Sequence, residues 1–403
     1  MKIVILTIGT HGDVLPYVAL GCGLLAKGHD VTIATLSRFE SFVTEYGLHH
    51  AALRGDYLAA AQSPRGNPIK MIRRYQQMAR DTLDDEWHSA QDAELFVYNP
   101  AAWGGYHIAD KLGVPAFAAF PAPLYSPTRE FPSPFFPFRN LGPFNKLSHR
   151  LFAKLGPALF QKPIKEWRRA VLGLPPAHGE DRLHDRPVTK LYAYSRAIVP
   201  VPADWDDSSI VTGYWFLDPQ PDWQPFPELI AFLQNGPAPI YVGFGSMAFH
   251  DAARQTSIVL QALKQSGQRA VLATGWGGLK SEDVPSSVFV IDSVPHAWLF
   301  PQVAAVVHHG GAGTTGAGLH AGKPTVICPF VGDQSFWGWR VAALGIGPQP
   351  IPQKRLTPDR LADAIRIAVS DEGMRQRAAD LGKTIRAEDG VGRAVARIED
   401  RQR

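Results

Sequence analysis

Short, unbroken runs of β-favouring apolar residues recur along this chain, each followed by a stretch with helical spacing, and the alternation happens twice. "KIVILTI" near the start, "DVTIAT", "LFVY" (95–98) and "VPAFAAF" (114–120) make the first series. "PIYVGF" (239–244), "RAVLA" (269–273), "SVFVID" (287–292), "VAAVV" (303–307) and "PTVIC" (324–328) make the second. A strand apolar on both faces has to be covered on both faces. Intervening helices supply that cover, together with the crossovers that parallel pairing requires. After the first run, Val14, Val18, Gly21, Leu24 and Leu25 fall on one helical face, and Gly28 supplies the stop. Phe39, Phe42, Val43 and Tyr46 line a second helix. The expected architecture is α/β, with two Rossmann-like, doubly wound domains facing each other across a cleft. Ligands of such sheets sit beyond the carboxyl ends of the strands.

Two stretches interrupt the pattern. Residues 121–145, "PAPLYSPTREFPSPFFPFRNLGPFN", hold too much proline for a regular helix or a central strand. They read either as a long surface connection or as a wall of an apolar site, because so much aromatic area is unfavourable in water and loops on such scaffolds carry binding. Phe131, Phe135 and Phe136 there, with Phe120 just before, are the candidate lining residues of such a site. Residues 146–173 are expected to be helical. A second zone, 201–227, contains "PQPDWQPFP" and reads as an interdomain connection. The expected division is an N-terminal domain over 1–217, a linker over 218–227, a C-terminal domain over 228–385 and a terminal helix or tail over 386–403. Thr357-Pro358 places an N-cap and a first-turn proline before another helix, and two more helices are expected to close the chain.

Composition narrows the class. A net charge of +4 over 403 residues, with Lys and Arg scattered and no like-charge run, argues against nucleic acid and leaves at most peripheral attraction to an anionic membrane. Cys22 and Cys328 each sit in apolar sequence, which favours buried thiols in a reducing cytoplasm over a disulfide. "MKIVILTIGT" has the look of a signal peptide, but it is short, lacks a small-residue cleavage site and meets Gly12-Asp13, so it reads as a first strand. No run of ~20 apolar residues is present, so no spanning helix is expected.

Polar chemistry concentrates in "VVHHGGAGTTGAGLHAGKPTVICPFVGDQ", Val306 to Gln334. A strand here runs into His308-His309-Gly310-Gly311-Ala312-Gly313-Thr314-Thr315 and then into a helix. Free N–H groups and the helix dipole make such a turn an anion site, and glycines let the backbone approach phosphate oxygens. Thr314 and Thr315 add hydroxyls, and His308 can donate a hydrogen bond or carry charge. The other reading is a tight turn without a ligand. The Lys of a Walker loop is missing, and so is the acid of a dinucleotide fingerprint, which argues against a dehydrogenase. Adjacent histidines at a strand end point oppositely and have no acidic or Cys partner nearby, so no metal is expected. Asp333 and Gln334 follow the next strand. They suit paired sugar hydroxyls, or Asp333 caps a helix. Ser246, in "YVGFGSM", sits at another helix start. In "TIGTHGDVLPYVALG", Asp13 is either a general base at the cleft rim or the cap of its own helix, and His11 is a second candidate base.

"GTHGDVLPYVALG", "YVGFGSM", "VVHHGGAGTTGAGLHAGKPTVICPFVGDQSFWGWRV" and "ALGIGPQPIPQKRLTPDRLADAI" together resemble the family 1 glycosyltransferases. The match is nearest to the sterol 3-beta-glucosyltransferase-like branch of bacteria and fungi, with the vancomycin-group antibiotic glycosyltransferases next. The resemblance covers nearly the whole chain. It is dense over 239–369 and weak over 55–190, apart from "PTREFPSP", which looks like the acceptor-side segment of that branch. It implies a GT-B fold, an acceptor-binding first half, a nucleotide-sugar-binding second half, inversion at the anomeric carbon and no metal or other cofactor. Carried over by motif, Asp13 is the base, Ser246, His308, Gly313 and Thr314 meet the diphosphate, and Asp333 and Gln334 read the sugar. Gly310 and Gly311 belong to the same turn, and the backbone of Val294 lies where the nucleobase would pair. The chain departs from the pattern at Ser293, where plant members have Trp, and at His11, where the branch often has Arg. The implied partners are a UDP- or dTDP-sugar and a lipophilic hydroxylated acceptor, with UDP-glucose and a sterol, terpenoid or polyketide foremost, for a monomer or weak dimer. The alternatives are a deoxysugar transferase acting on an antibiotic or glycolipid, and a nucleotide-sugar binder without catalysis.

Overall fold

A computed structural model describes residues 1–56, 68–99, 101–155, 158–177, 179–220, 222–245, 252–273 and 284–400. The first series of strands comprises β1 (Lys2–Leu6), β2 (Asp30–Leu36), β3 (His49–Leu53), β4 (Leu95–Tyr98) and β5 (Ala116–Phe120). A short antiparallel pair follows, β6 (Arg182–Leu183) with β7 (Arg186–Pro187), and then β8 (Thr189–Tyr192) and β9 (Ser209–Val211). The second series is β10 (Ile240–Gly243), β11 (Ala270–Ala273), β12 (Val288–Ile291), β13 (Val306–His308) and β14 (Thr325–Ile327). The first sheet runs β3-β2-β1-β4-β5-β8-β9 and the second β12-β11-β10-β13-β14, parallel throughout.

The unbroken strands are covered on both sides, as their composition demands. In β1, Ile3 and Ile5 pack with Val14, Val18, Leu20 and Leu24 of helix His11–Leu25, while Val4 and Leu6 face the opposite layer with Phe96 and Ile108. In β10, Ile240 and Val242 take one side and Tyr241 the other.

Each sheet starts in its middle, extends one way and then returns to the other side of its first strand. The return opens a crevice past the carboxyl ends of β1 and β4, and another past those of β10 and β13. Asn99, just past β4, pins the first crevice. Its amide donates to Thr7 Oγ1 (2.9 Å) and Ile8 O (3.1 Å), and its carbonyl accepts the N–H groups of Ala101 and Ala102.

The two crevices face each other. A β-carbon on Gly313 would lie 3.9 Å from the Gly12 carbonyl, so the N-termini of helices His11–Leu25 and Ala312–His320 are opposed. Phe131 meets Phe336 (5.4 Å between centroids), and the Arg340 guanidinium donates to Ile198 O. The last helix, Gly390–Asp400, does not stay with the second half. Ala394, Val395 and Ile398 enter the apolar layer of Ile3, Leu20 and Leu24, and Glu388 accepts a hydrogen bond from Ser195 (2.8 Å).

Some elements differ from expectation. The span 146–173 is two helices, Asn145–Leu155 and Gln161–Ala170. The run from Val303 joins the sheet only at Val306, so His308 is the last strand residue rather than the first of the turn. Strands β3, β8 and β9 were not anticipated. Thr357 does cap its helix, accepting from Arg360 N–H at 3.4 Å. Among the described residues no helix is long and apolar enough to cross a membrane, and Cys22 and Cys328 are free thiols.

Candidate active site

The turn after β13 is built by close packing. Gly310 has φ +97°, and a β-carbon there would lie 2.6 Å from Ile327 Cγ2 and 3.0 Å from Gln334 O. His308 is fully buried and its Nδ1 accepts the Gly310 N–H at 2.9 Å. The ring proton therefore sits on Nε2, which is buried with no partner among the described residues. Burial pulls the His308 pKa well below its ordinary value. Of the two roles expected of this side chain, donor and cation, the structure keeps the neutral donor. Helix Ala312–His320 starts at Gly311 with no side-chain cap, so its first-turn N–H groups are free for an anion. Thr314 is half-buried beside them. Thr315 is not an available donor, because it is buried and gives its hydroxyl proton to Gly311 O (2.8 Å). His308→Ala removes both the strap on Gly310 and the Nε2 donor. Calorimetry with UDP should show binding weakened roughly tenfold, the size of one lost hydrogen bond; unchanged affinity would count against a phosphate site.

Across the cleft, Asp13 sits in the first turn of its helix and reaches back. Its Oδ2 accepts from Thr10 N (2.7 Å) and Thr10 Oγ1 (2.9 Å), while Thr7 Oγ1 donates to Asp13 O (2.8 Å). Asp13 is therefore not the cap residue: Thr10 is the N-cap, and Asp13 closes a capping box from the third helical position, which leaves Oδ1 without a partner among the described residues. Gly9 is what permits the close approach, since a β-carbon there would fall 2.4 Å from Asp13 Oδ2. Burial raises the Asp13 pKa above that of an ordinary carboxylate, with the two Thr10 bonds pulling the other way. A desolvated carboxylate of raised pKa is a stronger proton acceptor than a wet one. His11 lies against Phe42 (4.7 Å between centroids) with one edge exposed, and loss of solvent lowers its pKa.

His296 was not picked out in the sequence. Its ring stacks on Phe300 (4.3 Å), and burial lowers its pKa to about 4, with His11 and His309 pushing the same way. His309 is likewise lowered to about 4 by burial. Histidines from both halves therefore converge neutral on the cleft. Among the described residues no group of three or more His, Cys, Asp or Glu is arranged to hold a metal.

Asp333 starts helix Gln334–Ala343 but makes no capping bond; its carboxylate accepts Trp337 Nε1–H at 2.8 Å. Burial lifts its pKa to about 6, and Asp13 facing it adds to the rise. Gln334 is buried, and its Oε1 is spent on Phe330 N (2.7 Å) and Val331 N (3.2 Å), so only its NH₂ remains for a ligand. Val294 packs its side chain with Tyr241 and Phe300, and its backbone makes no backbone hydrogen bond among the described residues. Ser246 lies outside the described residues. Of the candidate acceptor residues, Phe131 reaches the second half through Phe336, while Phe135 is 50 % exposed and meets Phe136 at 6.0 Å. Phe120 is a core residue rather than a wall, since the end of β5 sandwiches it between Tyr125 (4.6 Å) and Tyr192 (5.4 Å).

Comparison with known proteins bears on this geometry. Residues 3–129 match the Glycosyltransferase family 28 N-terminal domain, and residues 268–398 match the Erythromycin biosynthesis protein CIII-like C-terminal domain. A sterol 3-beta-glucosyltransferase of Arabidopsis thaliana is 37% identical over 416 residues, which is 98% of this chain and 67% of that protein. The chain belongs to the sterol 3-beta-glucosyltransferase family. An Aspergillus clavatus sterol 3-beta-glucosyltransferase is 39% identical over 99% of this chain, which spans only 29% of the fungal protein. Among solved structures, the glycotransferase of kitacinnamycin superposes with a TM-score of 0.72 at 22% identity, covering 99% of this chain and 98% of that one. The glycosyltransferase VinC, solved with dTDP, superposes at 0.67 with 18% identity and full coverage of both chains. These likenesses fix the fold as GT-B.

Proposed function

We propose that this chain moves a hexose from a nucleoside-diphosphate sugar to a hydroxyl of a lipophilic acceptor, with inversion at the anomeric carbon. UDP-glucose and a sterol, terpenoid or polyketide are the first pair to test. The observation that carries the proposal is the opposition of two carboxylates, Asp13 and Asp333, at the mouths of two facing crevices, one beside an uncapped helix N-terminus.

In this reading the nucleoside diphosphate lies on the turn Gly310–Thr314, with the base against the Val294 backbone. Asp333 and the Gln334 NH₂ hold the sugar hydroxyls. Asp13 Oδ1 takes the acceptor proton as the acceptor oxygen attacks C1. The bond from C1 to the diphosphate breaks on the opposite side, and the departing oxygen keeps the electron pair. First-turn N–H groups and His308 Nε2–H meet that charge, so the mechanism calls for no metal. Product mass spectrometry on a pool of hydroxylated apolar compounds with several nucleotide-sugars tests the proposal; no glycoside with any pair would sink it. Transfer of a deoxysugar from a dTDP donor is the second reading, favoured by the thymidine nucleotide held by VinC.

Asp333 gives the site a pH signature. Its folded pKa of about 6 lies above the ordinary 3.8, so the native state holds this proton more tightly than the unfolded chain. The resulting stability is present at pH 4 and lost as pH rises through about 6. Asp333→Asn should therefore raise the melting temperature at pH 7.5 and leave it unchanged at pH 4. The same substitution should abolish a rise in donor KM as pH falls below 6. A melting temperature equally shifted at both pH values would contradict the assignment.

A further inference from the structure

Helix Asn145–Leu155 is turned inside out. Its buried side carries Asn145, Ser148, His149 and Phe152, while Leu147, Leu151 and Leu155 are 56%, 45% and 56% exposed. The inward polar groups are all used to hold the Pro- and Phe-rich loop. Asn145 accepts from Leu141 N (2.8 Å) and donates to Arg129 O (2.9 Å). Ser148 accepts from Ser133 N (2.8 Å), and the His149 ring lies between the carbonyls of Leu124 and Phe131. Nothing in that clamp requires leucine on the outside. The leucines follow i, i+4, i+8 spacing with Phe144 one turn before them at 63% exposure, and Phe138 and Leu159, on the segments flanking the helix, are 51% exposed each. Soluble surfaces scatter large apolar side chains; a contiguous stripe marks an interaction site.

The charge around this stripe is one-sided. Residues 131–175 hold eight Lys and Arg against one acid, Glu166, a net +7 in a chain whose total is +4, so the rest of the molecule is net −3. The basic residues are thus not evenly scattered, contrary to the expectation from composition. Arg139, Arg150 and Lys154, on this helix and the loop before it, are exposed, as are Lys165 and Arg169 of the next helix, while Arg168 is buried against Asp110.

We propose that this face seats the protein on an anionic lipid surface, the leucines and Phe144 entering the headgroup boundary and the basic side chains meeting lipid phosphates. A second copy of the chain would set this basic rim against its own like charge, and a neutral apolar partner would leave the rim unmatched. The loop clamped by this helix carries Phe131, which meets Phe336 two residues beyond Gln334, so the seat adjoins the acceptor side of the cleft. The assignment stands on surface chemistry and is independent of sugar transfer.

The test is flotation of the full chain with phosphatidylcholine vesicles, with and without phosphatidylserine. Wild type should partition at least about tenfold more strongly to the mixed vesicles, with the difference collapsing at high salt. The double variant L147S/L151S should lose about tenfold or more of that partition, since each exposed apolar side chain contributes area to the seat. Far-UV circular dichroism and UDP calorimetry should be unchanged in the variant, because neither leucine touches the core or the cleft. Absence of wild-type binding to anionic vesicles at low salt would overturn the proposal, as would equal binding by the variant. A concentration-dependent dimer in sedimentation, abolished by the same variant, would assign the face to a second copy instead.

Discussion

Asp13→Asn is expected to lower transfer by ~100–10,000-fold, the usual contribution of a general base. Donor binding should survive, because Asp13 belongs to the half that faces the acceptor. Asparagine is the informative substitution. Its side-chain oxygen can still accept the Thr10 N–H and hydroxyl, so the helix start is preserved and only the proton acceptor is lost. A Tm within a few degrees of wild type, a normal calorimetric affinity for UDP and a collapsed single-turnover rate would together locate the defect in chemistry. Turnover close to that of wild type would remove Asp13 from the base role. His11→Ala run alongside resolves the second candidate. Its ring packs on Phe42, so a small effect on rate with a modest fall in Tm is the outcome expected of a packing residue.

Gly310→Ala should damage the turn after β13 and, with it, transfer. The residue has φ +97°, which costs an L-side chain on the order of 1–2 kcal/mol. The added carbon would also press on Ile327 Cγ2 at 2.6 Å and on Gln334 O at 3.0 Å, both in the packed interior. Relief requires the turn to move, and with it go the Nδ1 bond from His308 and the aim of the first-turn N–H groups. We expect a fall in kcat/KM of ~100–1,000-fold, comparable to removing a donor from an oxyanion site, together with a lower Tm. Steady-state kinetics beside thermal melts check this. An alanine variant that folds and binds UDP with native affinity would show that the turn does not cradle the donor.

The parallel sheets were legible in the sequence where a strand is apolar on both sides. β1, β2, β4 and β10 announce themselves as unbroken runs. β8 (TKLY) carries a lysine and a threonine, β9 (SIV) is three residues long, and β3 (HHAAL) opens on two histidines, so none has a run long enough to stand out. Their strand conformation is imposed by neighbours already in the sheet. At the site, motif position put forward Asp13, His308, Asp333 and Gln334, and the structure sets Asp13 opposite Asp333 across the crevices. Which of their atoms are already committed was not legible. The Thr315 hydroxyl and the Gln334 carbonyl are consumed by local backbone, a fact that only coordinates supply. His296 was missed because an isolated histidine beside Pro295 carries no periodic signal. Its membership in the cleft depends on contacts with residues far away in the chain.

The return of the final helix to the first sheet sets a rule for building chimeras. A β-carbon on Gly23 would lie 2.4 Å from Val391 Cγ1, and one on Gly390 would lie 2.1 Å from Tyr214 O, so this helix is fitted to its own first half at backbone distance. Exchanging donor-recognition modules between relatives by a single splice in the connecting segment would pair a foreign tail with that tailored groove. A double splice, with the second joint before Gly390, keeps lock and key from the same parent.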